Sequence, residues 1–377
     1  VSGSLAIVGF SNNDKFPGPT TETVYGAGGL GSASLPLVGA CVGLKTSSGS
    51  LTNDGAGAYC TSYDDCDAAA GAGSELARMG YRFIDWGLPV WLFAVAPAAS
   101  SPVAAAATIT FAFASGTAPL TVGEYSCRIA GKTYSIGIST SDTVTTMATA
   151  LKNKINADVR AIVTASNSSG VLTITHKNTT VRGNTLLVYG VTTGLPSNVT
   201  ATLGGGGTAT NTTGIAFASG AGTEDATNII AVLNSGYYNR VAIAQQDATN
   251  AALWETYVDT KAGPLVNKCE HFHIGFNGAL ATATSLAQTT LNNARFCALW
   301  MLNCESPPAE IAAAMAAASI AYETTGDGGI NANYDGLVLR GIAPSQFAAD
   351  NPTRANAQSA LDNSVTPCET RDGKAVV

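Results

Sequence analysis

Charge is the scarcest resource in this chain. Only 12% of its 377 residues are Asp, Glu, Lys or Arg, about half the ~25% usual for soluble domains. Nineteen Lys and Arg against 26 Asp and Glu leave a net charge of −7, with no basic cluster. That excludes phosphate-backbone binding, which needs grouped cations, so nucleic acid is not an expected partner. Long hydrophobic runs are also missing. The longest apolar stretch, Leu88 to Ala114, is broken by Pro97, Ser100, Ser101 and Pro102, so no run reaches the ~18–20 residues of a membrane span. The eight cysteines include no C-x-x-C pair, which removes the zinc-knuckle and redox-pair readings. Histidine occurs three times, and neither G-x-S-x-G nor a P-loop lysine motif is present. No signal-peptide pattern opens the chain.

What is present is small and apolar. Ala, Val, Ile, Leu, Met, Cys and aromatics make up 46% of the residues, enough for a sizeable core, and Ala, Ser, Thr, Gly and Asn must cover much of the surface. From residue 223 onward, helical spacing and short apolar strands alternate. Helices are expected over 223–236, 247–262, 280–294 and 308–323, and strands at 240–244, 271–276 and 296–302. The same alternation occurs earlier, with a helix over 74–86 and the apolar strand Pro89–Val95. This pattern predicts an α/β fold, a parallel or mixed sheet with covering helices.

The alternation breaks after Pro97. Residues 108–218 read as strands (TITFAF, YSCRIAG-KTYSIGIS, VLTITH, LLVYGV, NVTATL) around one helix near 142–156, between small-residue linkers. A β-rich α+β domain inserted into another domain is expected. The division is core 1–103, inserted block 104–220, and core again over 221–377.

Three chemical candidates stand out. Gly26-Ala27-Gly28-Gly29-Leu30-Gly31 satisfies G-x-G-x-x-G, but Gly31 is followed by Ser-Ala-Ser-Leu-Pro and a strand, not by the helix a pyrophosphate needs. His271 and His273, at i and i+2 on a strand, share a face and could chelate a metal. Phe272, Ile274 and Phe276 alternate with them, and the third histidine, His176, lies in the inserted block. Asp64, Asp65 and Asp67 have a calcium-like spacing without the bidentate Glu, and they read better as partners of a following helix start. No catalytic, cofactor-binding or metal residue is assigned, and no cofactor is expected. The sequons at Asn178, Asn198 and Asn211 lie in a Thr- and Asn-rich stretch where they arise by chance.

Several segments carry a family resemblance. They are Thr61-Ser62-Tyr63-Asp64-Asp65-Cys66-Asp67, Gly71-Ala72-Gly73-Ser74-Glu75-Leu76-Ala77-Arg78-Met79, Pro89-Val90-Trp91-Leu92, Ser306-Pro307-Pro308-Ala309-Glu310-Ile311, Gly341-Ile342-Ala343-Pro344, Thr353-Arg354 and Asp372-Gly373-Lys374. In this order they resemble the sheath proteins of contractile bacteriophage tails and of R-type pyocins and related contractile injection systems. After Thr353-Arg354 the chain departs from that family's pattern.

The resemblance implies a non-enzymatic structural protein of the virion tail. Its subunits would form stacked, hexameric rings in a helical tube around an inner tail tube protein, bounded by baseplate and tail terminator proteins. Contraction would drive the tube through a host envelope. It also implies that the C-terminal region continues past Val377. Two other readings stay open on the residues alone. One is a cofactor- or metal-dependent enzyme using Gly26–Gly31 or His271/His273, and the other is a secreted Thr/Asn-rich adhesion protein held by disulfides.

Overall fold

The structure is a computed structural model and describes residues 37–98, 101–205, 214–266, 268–291, 293, 295–324 and 336–377. The Gly26–Gly31 loop and the Asn211 sequon lie outside the described residues.

The first described elements are β1 (Gly39–Gly43), β2 (Ala58–Cys60), α1 (Tyr63–Ala70), α2 (Glu75–Ile84) and β3 (Val90–Ala94). α2 forms where sequence spacing placed a helix. Ser74 Oγ caps it by accepting from Ala77 N at 3.1 Å, and Leu76, Met79 and Phe83 form its buried stripe. The acids of 64–67 do not precede a helix, as expected from sequence; they lie within α1 itself. Ser62 and Asp65 form a reciprocal capping box, because Asp65 sits three residues past the cap with its carboxylate aimed at orphan N–H groups.

After β3 the chain enters the β-rich block. It runs β4 (Ala104–Phe113), β5 (Gly123–Ile129), β6 (Lys132–Ile138), α3 (Val144–Ala157), β7 (Val163–Ser168), β8 (Val171–Thr179), β9 (Leu187–Val191), β10 (Val199–Gly204) and β11 (Ile215–Ala216). Two four-stranded antiparallel sheets result, ordered β10-β4-β8-β7 and β11-β9-β5-β6. Strict alternation of buried and open residues along β4 and β8 marks one face as inward. Ile109, Phe111, Tyr125, Cys127, Leu151, Ile174 and Val188, drawn from both sheets and α3, fill one core.

The α/β alternation then resumes with α4 (Thr227–Leu233), β12 (Arg240–Ile243), α5 (Ala248–Ala262), β13 (His271–Phe276), α6 (Leu280–Thr289), β14 (Phe296–Trp300), α7 (Pro308–Thr324), α8 (Arg354–Asp362) and β15 (Val365–Pro367). A hairpin of β16 (Glu369–Arg371) and β17 (Lys374–Val376) follows. Seven strands form one sheet in the order β15-β14-β13-β12-β1-β3-β2, parallel throughout except for β2. β12 pairs directly with β1, so the crossover expected after β3 is interrupted by the whole β-rich block and completed only by α4. The protein is therefore mixed α/β: a largely parallel sheet with covering helices, plus antiparallel sheets.

Successive residues of each strand feed opposite layers. On one side Val42, Val241, Phe272, Ile274 and Trp300 pack with Ile229 of α4, Trp254 of α5 and Leu286 of α6. On the other, Cys41, Leu92 and Ala242 meet Leu76, Met79 and Phe83 of α2 and the alanines of α7. α7 is buried all round, because its outer face packs on Leu299, Met301, Leu339, Ile342 and Ala375. A helix enclosed on every side is mostly apolar, the buried Glu310 of α7 being paired with Arg78, and alanine lets its neighbours approach closely. Among the described residues no helix is long and apolar enough to cross a membrane.

Candidate functional site

Three of the segments that carry the sequence resemblance, 71–79, 306–311 and 341–344, meet at a buried joint between α2, α7 and the loop at 341–344. Arg78 of α2 donates from Nε to Glu310 Oε1 of α7 at 2.5 Å, across 232 residues of sequence, with side chains 14% and 2% exposed. Arg82, one turn on, lies 3.6 Å from the other Glu310 oxygen and donates to the carbonyl of Gly341. Ala343 completes the joint: its N–H donates to Ser306 Oγ at 2.9 Å, while its carbonyl accepts from the N–H groups of Glu305 and Ser306. Burial disfavours the Arg78 charge, and Glu310 more than restores it, so the Arg78 pKa lies above its usual value.

A second group of charges ties the β-rich block to this joint. Arg182, between β8 and β9, donates to both Glu75 oxygens at 2.9 and 2.6 Å and also pairs with Glu224. Burial pushes the Glu75 carboxyl up, but the charge and hydrogen bonds of Arg182 overcome it and hold the pKa below the usual range. Glu224 goes the other way, with burial the largest cause and Arg182 only a partial offset. Asn178 adds neutral links, accepting from Glu75 N at 2.8 Å and donating to Lys45 O at 2.9 Å. Further along, Arg128 of β5 makes a two-pronged pair with Glu305 at 2.7 and 2.5 Å.

The glycines of the Gly71-Ala72-Gly73 turn have a steric reason. Gly71 ends α1 at φ 86°, and Gly73 follows at φ 73°, the left-handed region that favours glycine. A Cβ on Gly73 would collide with the carbonyl oxygen of Ala161 in the β-rich block. Lys177 seals the same contact by donating to Ala72 O at 2.9 Å and Val159 O at 2.7 Å.

The sequence candidates separate. Asp64 and Asp67 both pair with Arg160, at 2.6 and 2.7 Å, and Asp65 accepts from Thr61 and Ser62. These carboxylates bind protein groups, not a common centre. His271 and His273 share the α7 face of β13, opposite Phe272, Ile274 and Phe276. His273 is buried and His271 half-buried. His176 hydrogen-bonds Asn178 within the β-rich block. Among the described residues no three His, Cys, Asp or Glu side chains are grouped to hold a metal ion. All eight cysteines are free thiols. Asn178 and Asn198 are buried, with both amides committed to hydrogen bonds, so neither side chain is open to a glycan.

Sequence reasoning did not find Arg182, Glu224, Arg128 or Glu305 as partners. Their only signal was rarity: ionisable groups inside apolar or Thr-rich segments of a chain with little charge.

No family model matches the chain, and no curated protein matches it. Among solved structures it is similar to a sheath tail protein from Desulfitobacterium hafniense, at 12% identity over 96% of this chain and 73% of that one, with a TM-score of 0.43. It is similar to a sheath tail protein from Listeria innocua at 9% identity, over 90% and 68% of the two chains, with a TM-score of 0.41. The D1–D3 domains of the flagellar cap protein FliD from Escherichia coli match 44% of this chain and 55% of that one, at 14% identity and a TM-score of 0.17. Likenesses at such TM-scores carry no argument about function.

Proposed function

We propose that this chain is the structural subunit of a contractile tail sheath. It polymerises as stacked rings around an inner tail tube and contracts to drive that tube through a host envelope. The observation that carries this reading is the convergence of three sheath-like segments, 71–79, 306–311 and 341–344, on one buried joint through Arg78–Glu310 and Ser306–Ala343. Residues that match a family pattern and serve only to hold elements together favour a mechanical role over a catalytic one.

In this reading residues 1–103 and 221–377 form the sheath body, and 104–220 form an inserted surface domain. Baseplate and terminator proteins bound the tube, and no cofactor takes part. The low charge suits the role, because near-neutral faces can exchange one set of contacts for another without stranding ions. Contraction then requires two lattices of the same subunit, the extended one metastable.

Sedimentation of purified chain tests the reading against its enzymatic rival. A sheath subunit sediments as large assemblies and carries neither nucleotide nor metal. A stoichiometric bound nucleotide or metal in a discrete small species would transfer the case to an enzyme using Gly26–Gly31 or His271/His273.

A further inference from the structure

The α7 face of the core sheet borders a half-open cavity of about 460 Å³ at the N-terminal ends of β12, β13 and β14. Strand register brings Arg240 beside His271, and His273 beside Cys297. Met315, Ser319 and Glu323 of α7 close the other side. The volume falls within the range of small-molecule sites.

Two groups in this wall are left without a protein partner among the described residues. His273 is 4% exposed, and neither ring nitrogen has a hydrogen-bond partner, although buried polar groups are nearly always paired. Arg295, immediately before β14, lines the same cavity and has no ion-pair partner among the described residues. Arg240, by contrast, is fully engaged. It meets Glu323 at 2.5 Å and donates to Ser319 Oγ at 3.2 Å and Asn239 O at 3.0 Å. Glu323, the acidic side chain in the lining, thus pairs with Arg240, and Arg295 is left without an ion pair among the described residues. Met315, Cys297 and Val377 give the cavity an apolar side.

Burial, then the charges of Arg240 and His271, pull the His273 pKa down to about 3. The ring is therefore neutral under ordinary conditions and offers one N–H donor. Burial pushes the Cys297 thiol up to about 11, so it stays protonated.

We propose that this cavity binds a small organic carboxylate, with Arg295 as its ion-pair partner, the His273 ring as a hydrogen-bond donor and the Met315–Cys297 side as the seat of its apolar body. A guanidinium matches a carboxylate in plane and spacing. A single carboxylate needs only the one guanidinium that Arg295 offers, whereas a doubly charged phosphate calls for more than one. The carboxylate comes either from a free small molecule or from a neighbouring copy of the chain. The inference stands apart from the sheath reading and holds equally for a chain that never polymerises.

The test uses the scarcity of histidine. With three in the chain, imidazole nitrogen-15 correlations resolve each ring, and His176, held by Asn178 elsewhere, serves as internal control. Titrating benzoate into the full chain at about pH 7 is expected to shift His271 and His273 saturably, with a Kd of about 1 mM or tighter, and to leave His176 in place. Arg295→Gln is expected to weaken binding by about tenfold or more, and cyclohexylamine to shift nothing. Repeating the titration on self-associated chain assigns the source. Unchanged affinity marks a free small molecule; a His273 signal already shifted and resistant to benzoate marks a neighbour's carboxylate. Absence of a saturable His273 shift in the dilute chain, equal affinity in Arg295→Gln, or equal binding of cyclohexylamine would each overturn the proposal.

Discussion

Replacing Arg182 with Met removes the single cation held between two buried carboxylates. The Arg182 side chain is 10% exposed, and those of Glu75 and Glu224 are 7% and 1% exposed. Without the guanidinium both acids are buried and uncompensated, a situation that costs about 3–5 kcal/mol when one partner of a buried ion pair is deleted. For a chain of 377 residues that corresponds to a fall in melting temperature of about 4–6 °C, at roughly 1.3 °C per kcal/mol.

The loss also has a signature in pH. In the native chain Glu75 has a depressed pKa, so its contribution is fully present above the unfolded carboxylate range and is lost as pH falls through the folded value. In Arg182→Met both carboxyls instead have raised pKa values, so the deficit is complete near pH 8 and shrinks on acidification toward about pH 5, as they take up protons. Calorimetry of both proteins across that range measures the gap. The triple variant Arg182→Met, Glu75→Gln, Glu224→Gln should recover most of the loss. A gap below about 1 kcal/mol, the size of a surface pair, or one that does not change with pH, would refute the assignment of this triad as a buried lock.

Gly73→Ala should destabilise the chain by about 2 kcal/mol or more, because the residue sits at φ 73° and its new Cβ meets the Ala161 carbonyl; an unchanged urea midpoint would contradict this contact. Leu76→Ala, at a position 0% exposed between α2 and the sheet, should cost about 2–5 kcal/mol, measured by the same unfolding curve. Under native conditions a thiol reagent should react promptly with Cys269, the exposed cysteine, and much more slowly with the other seven, all eight becoming reactive in denaturant; fewer than eight in denaturant would reveal a disulfide.

The α/β class was legible because both of its signals are local. Strand β13 alternates His and Gly against Phe and Ile, and α7 is a run of alanines opened by Ser306-Pro307-Pro308. The change of composition after Pro97 is a local signal as well; that β12 pairs with β1, with β4 to β11 between them in sequence, is not. Shorter elements escaped. β2 and β15 are three residues long and exist as strands through their partners β3 and β14, so no periodicity could announce them. The acids at 64–67 were misplaced by a few residues because a capping box and a pre-helix cluster share the same letters. The charged joint was invisible for a different reason. Arg182 is 107 residues from Glu75, and only folding brings one cation between two acids. The resemblance located Arg78 and Glu310 as pattern residues, but their pairing needed coordinates.

The central claim is that this chain polymerises into a sheath, and negative-stain electron microscopy of the full-length chain at rising concentration tests it most directly. The account predicts stacked rings or striated tubes with a hollow centre. A uniform population of single small particles at every concentration, with the triad and joint intact by calorimetry, would contradict it.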